Sequence, residues 1–280
     1  MNADSPLPEL RGQVAIVTGA GRGLGRATAL ALAQAGASVG LAARSEEQVM
    51  ETAGAIKRAG GEALAVVADV SDAACVERLV RQVEHALGPA DLLVNNAGTM
   101  GPLGPIWEVD AGDWWHAFEV NLRGPYLCSR AVLPGMLARH RGRIINFSTS
   151  AATVAVAHMS AYVISKTALI RFTENLAAEL LNSGLSVFAI DPGTVRTAMS
   201  AYVLESEAGK KWLPWFRKLF EQGRDVPAEK AARLVVQLAS GRADALSGRF
   251  LGVADDLGKL LEELEEVKRS SLYMLRIRKL

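Results

Sequence analysis

Short apolar runs that alternate with longer stretches of helical spacing constrain this chain more than any other feature. The runs lie at 14–17, 38–42, 63–68, 92–94, 143–147, 186–190 and 249–253. They are nearly continuous in Ala, Val, Leu and Ile and are bounded by Gly, Asn or Asp, as strands covered on both faces must be. Between them, helical patterns occupy roughly 23–35, 46–59, 72–87, 111–140, 160–182 and 227–240. A strand followed by a helix, repeated in this order, predicts a doubly wound parallel sheet with helices on both faces, an α/β fold. No Pro/Gly/Ser-rich linker divides the 280 residues. One domain spanning 1–280 is therefore expected.

Composition excludes several classes of partner. The formal net charge of +1 provides no basic field for holding nucleic acid by its phosphates. Cys75 and Cys128, the two cysteines, have neither metal-ligand spacing nor a disulfide framework. The histidines have no metal-like spacing either: His85, His116 and His140 read as surface residues, and His158 is placed to line a pocket. No metal is expected. The first nine residues lack a basic segment followed by an apolar one, and no apolar run approaches the roughly 20 residues of a membrane span. A soluble, cytoplasmic protein without a membrane partner is the expectation.

Two regions break the rhythm. Residues 198–226 carry Tyr202, Trp212, Trp215 and Phe216, and an insertion of this length in a compact α/β domain reads as a lid over a functional site. In the tail, 255–280, Leu257, Leu260, Leu261, Leu264 and Val267 recur at helical spacing among glutamates before the chain turns basic. That pattern predicts an amphipathic helix packed on the body or on another subunit.

The chemistry-bearing residues fall into a glycine-rich turn and a Tyr/Lys pair. Thr18-Gly-Ala-Gly-Arg-Gly-Leu-Gly25 follows the first strand and opens the first helix. Glycines there let the backbone approach a pyrophosphate, and the helix start offers unpaired N–H groups and positive potential. Tyr162 and Lys166 stand four apart, one helical turn, so phenol and ammonium share a face. A cation beside a phenol favours its ionised form and moves its pKa toward neutrality. Such a group can exchange a proton while hydride moves.

The ordered set Thr18–Gly25, Asp69-Val70, Asn95-Asn-Ala-Gly98, Asn121, Tyr162-x3-Lys166 and Pro192-Gly193 resembles the short-chain dehydrogenase/reductase superfamily, in its single-domain branch, from about residue 12 to about 253. The resemblance implies a Rossmann-type seven-stranded sheet. It implies that Gly19, Arg22, Gly23, Leu24 and Gly25 cradle a dinucleotide, that Asp69 and Val70 meet its adenine, and that Asn96, Ala97 and Gly98 meet its ribose. Pro192 and Gly193 belong to the same cofactor set, and Val195 and Thr197 match positions that hold the nicotinamide carboxamide. Lys166 would bond the nicotinamide ribose and lower the Tyr162 pKa, Tyr162 would be the acid/base, and Asn121 would hold a relay water. The pattern also implies a homodimer or homotetramer paired through the helices at 111–140 and 160–182.

The chain departs from the pattern at two places. NAD users carry an acid at the end of the second strand, where this chain has Ala43 followed by Arg44. An arginine fork suits a 2′-phosphate, and Arg22 approaches from the glycine loop, so NADP(H) is expected over NAD(H). The family's catalytic serine, thirteen residues before the tyrosine, is here Thr149 on an ungapped register; a shift of one residue would present Ser148 or Ser150 instead. Apolar candidates around the site (Trp107, Met159, Tyr202, Trp212) favour a bulky ketone, aldehyde or secondary alcohol as the small-molecule substrate. The expected activity is carbonyl reduction or its reverse. Reduction of a C=N bond, or a non-catalytic NADPH-sensing protein, are the alternatives.

Overall fold

The computed structural model describes residues 8–277. Seven strands, β1 (Val14–Thr18), β2 (Ser38–Ala43), β3 (Ala63–Val67), β4 (Leu92–Asn95), β5 (Gly142–Phe147), β6 (Leu185–Asp191) and β7 (Phe250–Gly252), form one sheet in the order β3-β2-β1-β4-β5-β6-β7. Every pairing is parallel. This is a Rossmann-like sheet. β1, β4 and most of β5 and β6 are buried along their whole length, which is why they read as continuous apolar runs.

In chain order the first helices are α1 (Gly23–Gln34), α2 (Glu46–Arg58), α3 (Ala73–Leu87), α4 (Ala111–Phe118), α5 (Gly124–Ala138) and α6 (Ser160–Glu179). The insertion follows as α7 (Ala198–Glu205), α8 (Glu207–Trp212) and α9 (Pro214–Glu221), and then come α10 (Ala228–Ala239), α11 (Leu257–Glu262) and α12 (Leu264–Arg269). Leu32 of α1, Ile56 of α2 and Val235 of α10 pack on one sheet face with Val17, Leu41 and Ile190. Leu79 of α3, Met136 of α5 and Leu176 of α6 pack on the other with Ile16, Leu93 and Ile144. Burying such side chains contributes roughly 1.5–3 kcal/mol each, the dominant favourable term here.

Two expected helices are broken. The stretch 111–140 is α4, a π-helical turn at Glu119–Arg123, and α5. Pro125 has no N–H to give the carbonyl of Asn121, so a regular α ladder cannot continue through this point. The tail is two short helices hinged at Glu263 (φ −94°, ψ 21°) rather than one. The hinge lets Leu257, Leu260 and Val267 all reach the α1/α10 core. Buried Arg249 then ties the chain down, donating to the carbonyls of Val267 and Leu272 at 2.7 Å each, while Phe250 N bonds Tyr273 O at 2.8 Å along the β7 edge. The basic residues of the extreme C-terminus, 278–280, and the leader reading of 1–7 lie outside the described residues. No described helix is long and apolar enough to cross a membrane.

Candidate active site

β1 is flanked by β2 on one side and β4 on the other, so the chain winds outward from this pair in both directions and leaves a crevice at the strands' C-terminal ends. A cleft of about 410 Å³ occupies that crevice. The segments following β1 through β6 all contribute to its wall.

The glycine turn forms one end. Gly19 and Gly23 adopt φ of 64° and 54°, the left-handed region. Gly25 has no room for a side chain: a Cβ would lie 2.2 Å from Gly19 O and 2.4 Å from Asn96 Nδ2. Thr18 and Asn96 lock the turn against β4. Asn96 Nδ2 donates to Thr18 O at 2.8 Å, and the amides of Asn96 and Ala97 both donate to Thr18 Oγ1 at 3.1 Å. The start of α1 differs from its neighbours. Ser45, Asp72 and Asp110 cap α2, α3 and α4, whereas α1 has no side-chain cap and no acid in its first turn. Its free N–H groups and positive end face the cleft. A glycine cradle closed to any Cβ, an uncapped helix start and an open crevice together fit the pyrophosphate of a dinucleotide.

Arg22, Leu24, Arg44, Val70 and Gly98 line the same cleft, as do Ala43, Ser45 and Gln48 at the end of β2. Arg22 and Arg44 are exposed, and Arg44 lies close enough to Asp69 to act on its charge. Asp69 is the one carboxylate on the wall among the described residues. Burial pushes its pKa up, but hydrogen bonds from Ser71 N (2.9 Å) and Ser71 Oγ (2.6 Å), with Arg44 and His116 nearby, bring it below its ordinary value. His116, expected simply at the surface, is exposed and also lines this wall. Its position follows from α4 lying across the cleft, which no local spacing signals.

Tyr162 and Lys166 come from the first two turns of α6, and both line the cleft. The expected lowering of the Tyr162 pKa is overturned in direction. Burial, with the Asp191 carboxylate adding to it, raises the phenol to about 12. Burial also pulls Lys166 down to about 8, and its Nζ donates to Phe147 O at 2.7 Å. A low-dielectric site penalises the charged form of each group. At neutral pH the phenol therefore holds its proton. Asp191, whose Oδ1 accepts from Gly193 N at 3.1 Å, is a contributor that sequence reading missed. Its only signal was an acid directly before Pro192-Gly193.

Asn121 is fully buried in the π turn, and its side chain is engaged. Oδ1 accepts from Thr99 N (2.8 Å), and Nδ2 donates to Thr99 O (2.9 Å) and Ser165 Oγ (3.0 Å). It braces the loop after β4 against α6. The three candidate hydroxyls separate as well. Ser148 is buried on the cleft wall but donates to Lys166 O at 3.0 Å. Thr149 is half-buried and caps a 3-10 turn, accepting from Ala151 N at 3.3 Å, and its hydroxyl proton has no acceptor among the described residues. Ser150 is exposed.

Beyond β6, Pro192 and Thr197 reach the cleft, whereas Gly193 and Val195 do not line it. The insertion packs on the tyrosine's far side. Val203 and Leu213 are buried with Met100, Leu103, Met159 and Val163, and Tyr162 and Phe216 lie against them. The Trp212 ring lies tilted by 37° against His158 with centroids 4.5 Å apart, and His158 holds a φ of 68° while its carbonyl accepts from Gly104 N. Trp107, expected as a wall, is 81% exposed instead. The loop carrying it turns outward after Gly104.

Residues 13–208 match the profile of the short chain dehydrogenase family. The chain is 37% identical, over 96% of its length and 90% of the relative's, to a short chain dehydrogenase of Pseudocercospora fijiensis. It is 35% identical to galactitol 2-dehydrogenase of Rhizobium johnstonii, over 87% of this chain and 94% of that one. The crystal structure of a gluconate 5-dehydrogenase from Burkholderia cenocepacia, in complex with NADP and tartrate, superposes with a TM-score of 0.79 at 30% identity, covering 90% of this chain and 97% of that one. With its parallel sheet, glycine cradle and Tyr/Lys pair, the chain belongs to the short-chain dehydrogenase family, and it is an oxidoreductase of that family.

Proposed function

We propose that the protein is an NADP(H)-dependent reductase of apolar ketones or aldehydes, reversible toward the alcohol. The observation that carries this reading is that Tyr162 and Lys166, one helical turn apart on α6, line the same cleft as the uncapped start of α1 and its glycine turn. When bound, the nicotinamide supplies or accepts hydride at the substrate carbon. Tyr162 donates its proton to the carbonyl oxygen, and Thr149 gives that oxygen a hydrogen bond. Lys166 holds the ribose with its ammonium. Asn121 contributes through its main-chain carbonyl, which Pro125 leaves without an α-helical donor, because its side chain is already engaged. Exposed Arg22 and Arg44, with Ala43 where an acid would exclude a phosphate, favour NADPH over NADH. The apolar cluster around Tyr162 disfavours sugar phosphates and small hydroxy acids.

We read 1–280 as one domain with 198–226 as its lid, and the protein as a soluble homo-oligomer pairing through α5 and α6. Tyr126, Leu137 and Ile164 leave apolar surface exposed on these helices. Light scattering on the full chain tests the assembly, and a monomer would refute it. The function is tested by following NADPH oxidation with bulky ketones, aldehydes and cyclic imines, with NADH in parallel. Turnover of a ketone with NADPH is expected. Turnover of imines alone would move the reaction to C=N bonds, and a preference for NADH would overturn the cofactor reading.

A further inference from the structure

The 198–226 insertion begins and ends on the same loop, the one after β6. Val226 N donates to Thr194 O at 2.8 Å. Gly193 has φ 72°, and a Cβ on it would lie 2.8 Å from Val226 Cγ2, so the Val226 side chain packs directly on the Gly193 backbone. Next along the loop, Arg196 Nε and Nη2 donate to both oxygens of Asp225, at 2.7 and 3.2 Å. The same guanidinium lies 4.8 Å from the centroid of the Phe220 ring. Phe220 meets Phe216 edge-on at 5.4 Å, and Phe216 packs with the apolar residues around Tyr162. Contacts therefore run without a break from the loop after Pro192 to the surroundings of the phenol.

The Arg196 side chain is 66% exposed. An ion pair so exposed adds little to global stability. Its geometry is nonetheless bidentate and ring-stacked, which fixes direction as well as distance. It also stands between Val195, which is buried, and Thr197, whose side chain caps α7 in a reciprocal capping box with Ser200. A side chain that fixes orientation while contributing little to the fold is suited to holding one moving part against another.

We propose that Arg196 is a positioning residue: by clasping Asp225 and Phe220 it fastens the C-terminal end of the insertion back to the loop carrying Val195 and Thr197, from which the insertion starts, so that closure over the substrate and placement of that loop against the nicotinamide are one movement. This rests on the reading of 192–197 as the nicotinamide loop. It also sets a size rule. Substrates bulky enough to hold the insertion open also displace the loop, and their turnover suffers in kcat as well as KM.

The experiment compares wild type, Arg196→Gln, Asp225→Asn and the charge swap Arg196→Asp/Asp225→Arg by hydrogen–deuterium exchange, alone and with NADPH, and by steady-state kinetics. In Arg196→Gln and Asp225→Asn, exchange across 198–222 rises on the order of tenfold, as expected for a released local unit, while the melting temperature stays within a few degrees. NADPH protects 192–197 in the wild type, and this protection weakens in both single variants. kcat falls about tenfold, and the Kd for NADPH changes by less than about threefold, as when a gating contact is lost. The swap restores both exchange and kcat. Unchanged exchange in the single variants, or a swap that behaves like them, overturns the clasp. Faster exchange in an enzyme that reduces no carbonyl would keep the clasp and sink the reaction assigned to it.

Discussion

The glycine-turn end of the cleft is walled by main chain, while the end beneath the insertion is walled by side chains. At the first, Gly19 and Gly25 lie so close to Asn96 and to each other that no Cβ fits, and the ligand-facing groups are the amides of an uncapped helix. At the second, Tyr162 and Met199 line the cleft, and Met100, Leu103, Met159, Val203 and Leu213 pack with them from four separate segments of chain. The contrast teaches what each end can vary. A wall of backbone suits one invariant group, such as a pyrophosphate, and tolerates almost no substitution. A wall of apolar side chains can be recut for different substrates without disturbing the sheet.

That contrast is broken most severely at Tyr162, where the two ends meet. Tyr162→Phe should lower carbonyl reduction by roughly 10²–10⁴-fold while leaving NADPH affinity within a few-fold, read by steady-state rates and fluorescence titration. Equal loss of binding and turnover would mean that the phenol belongs to the cofactor end. Gly25→Ala attacks the backbone wall itself. Its Cβ would sit 2.2 Å from a carbonyl oxygen, so affinity should fall about 100-fold and stability by about 1–3 kcal/mol. Calorimetry on the variant checks both. Arg44→Glu places an acid at the end of β2, and if Arg44 holds the 2′-phosphate, NADPH affinity should drop 10- to 100-fold while NADH affinity holds or improves. Parallel titrations with the two cofactors read the ratio.

The smallest effect concerns stability. The folded pKa of Lys166 is about 8, below its ordinary 10.5, so between these values the unfolded chain binds the proton that the folded chain has lost. Its contribution to stability therefore rises with pH across that window, and below about 8 the buried charge is a standing cost. Lys166→Met should abolish turnover yet gain on the order of 1–2 kcal/mol at pH 7, with the gain shrinking toward pH 10. Thermal unfolding of both proteins at several pH values checks the sign.

The same contrast governs what could be read from sequence. The sheet was legible because strands covered on both faces must be apolar throughout, and the cradle because only glycine satisfies its φ and its contacts. Tyr162 and Lys166 were legible by spacing. The direction of the Tyr162 pKa shift was not, since Met100, Met159 and Leu213, which pack against Tyr162, are residues that sequence order does not bring together. The engagement of Asn121 with Thr99 and Ser165 was hidden for the same reason, as were the salt bridge of Arg196 to Asp225 and the approach of His116 to Asp69. Local rules reported the break in the 111–140 helix only through Pro125. In the tail, hydrophobic spacing predicted the buried leucines but not the hinge at Glu263, because Arg249 and the core decide where the chain must turn.

The most direct measurement is a single-turnover reaction of wild type and Tyr162→Phe with NADPH deuterated at the transferring position and an apolar ketone. The account predicts deuterium at the carbinol carbon of the wild-type product, and a variant that binds the labelled cofactor but transfers the label at least about 100-fold more slowly. Product without the label, or transfer at the wild-type rate in Tyr162→Phe, would contradict it.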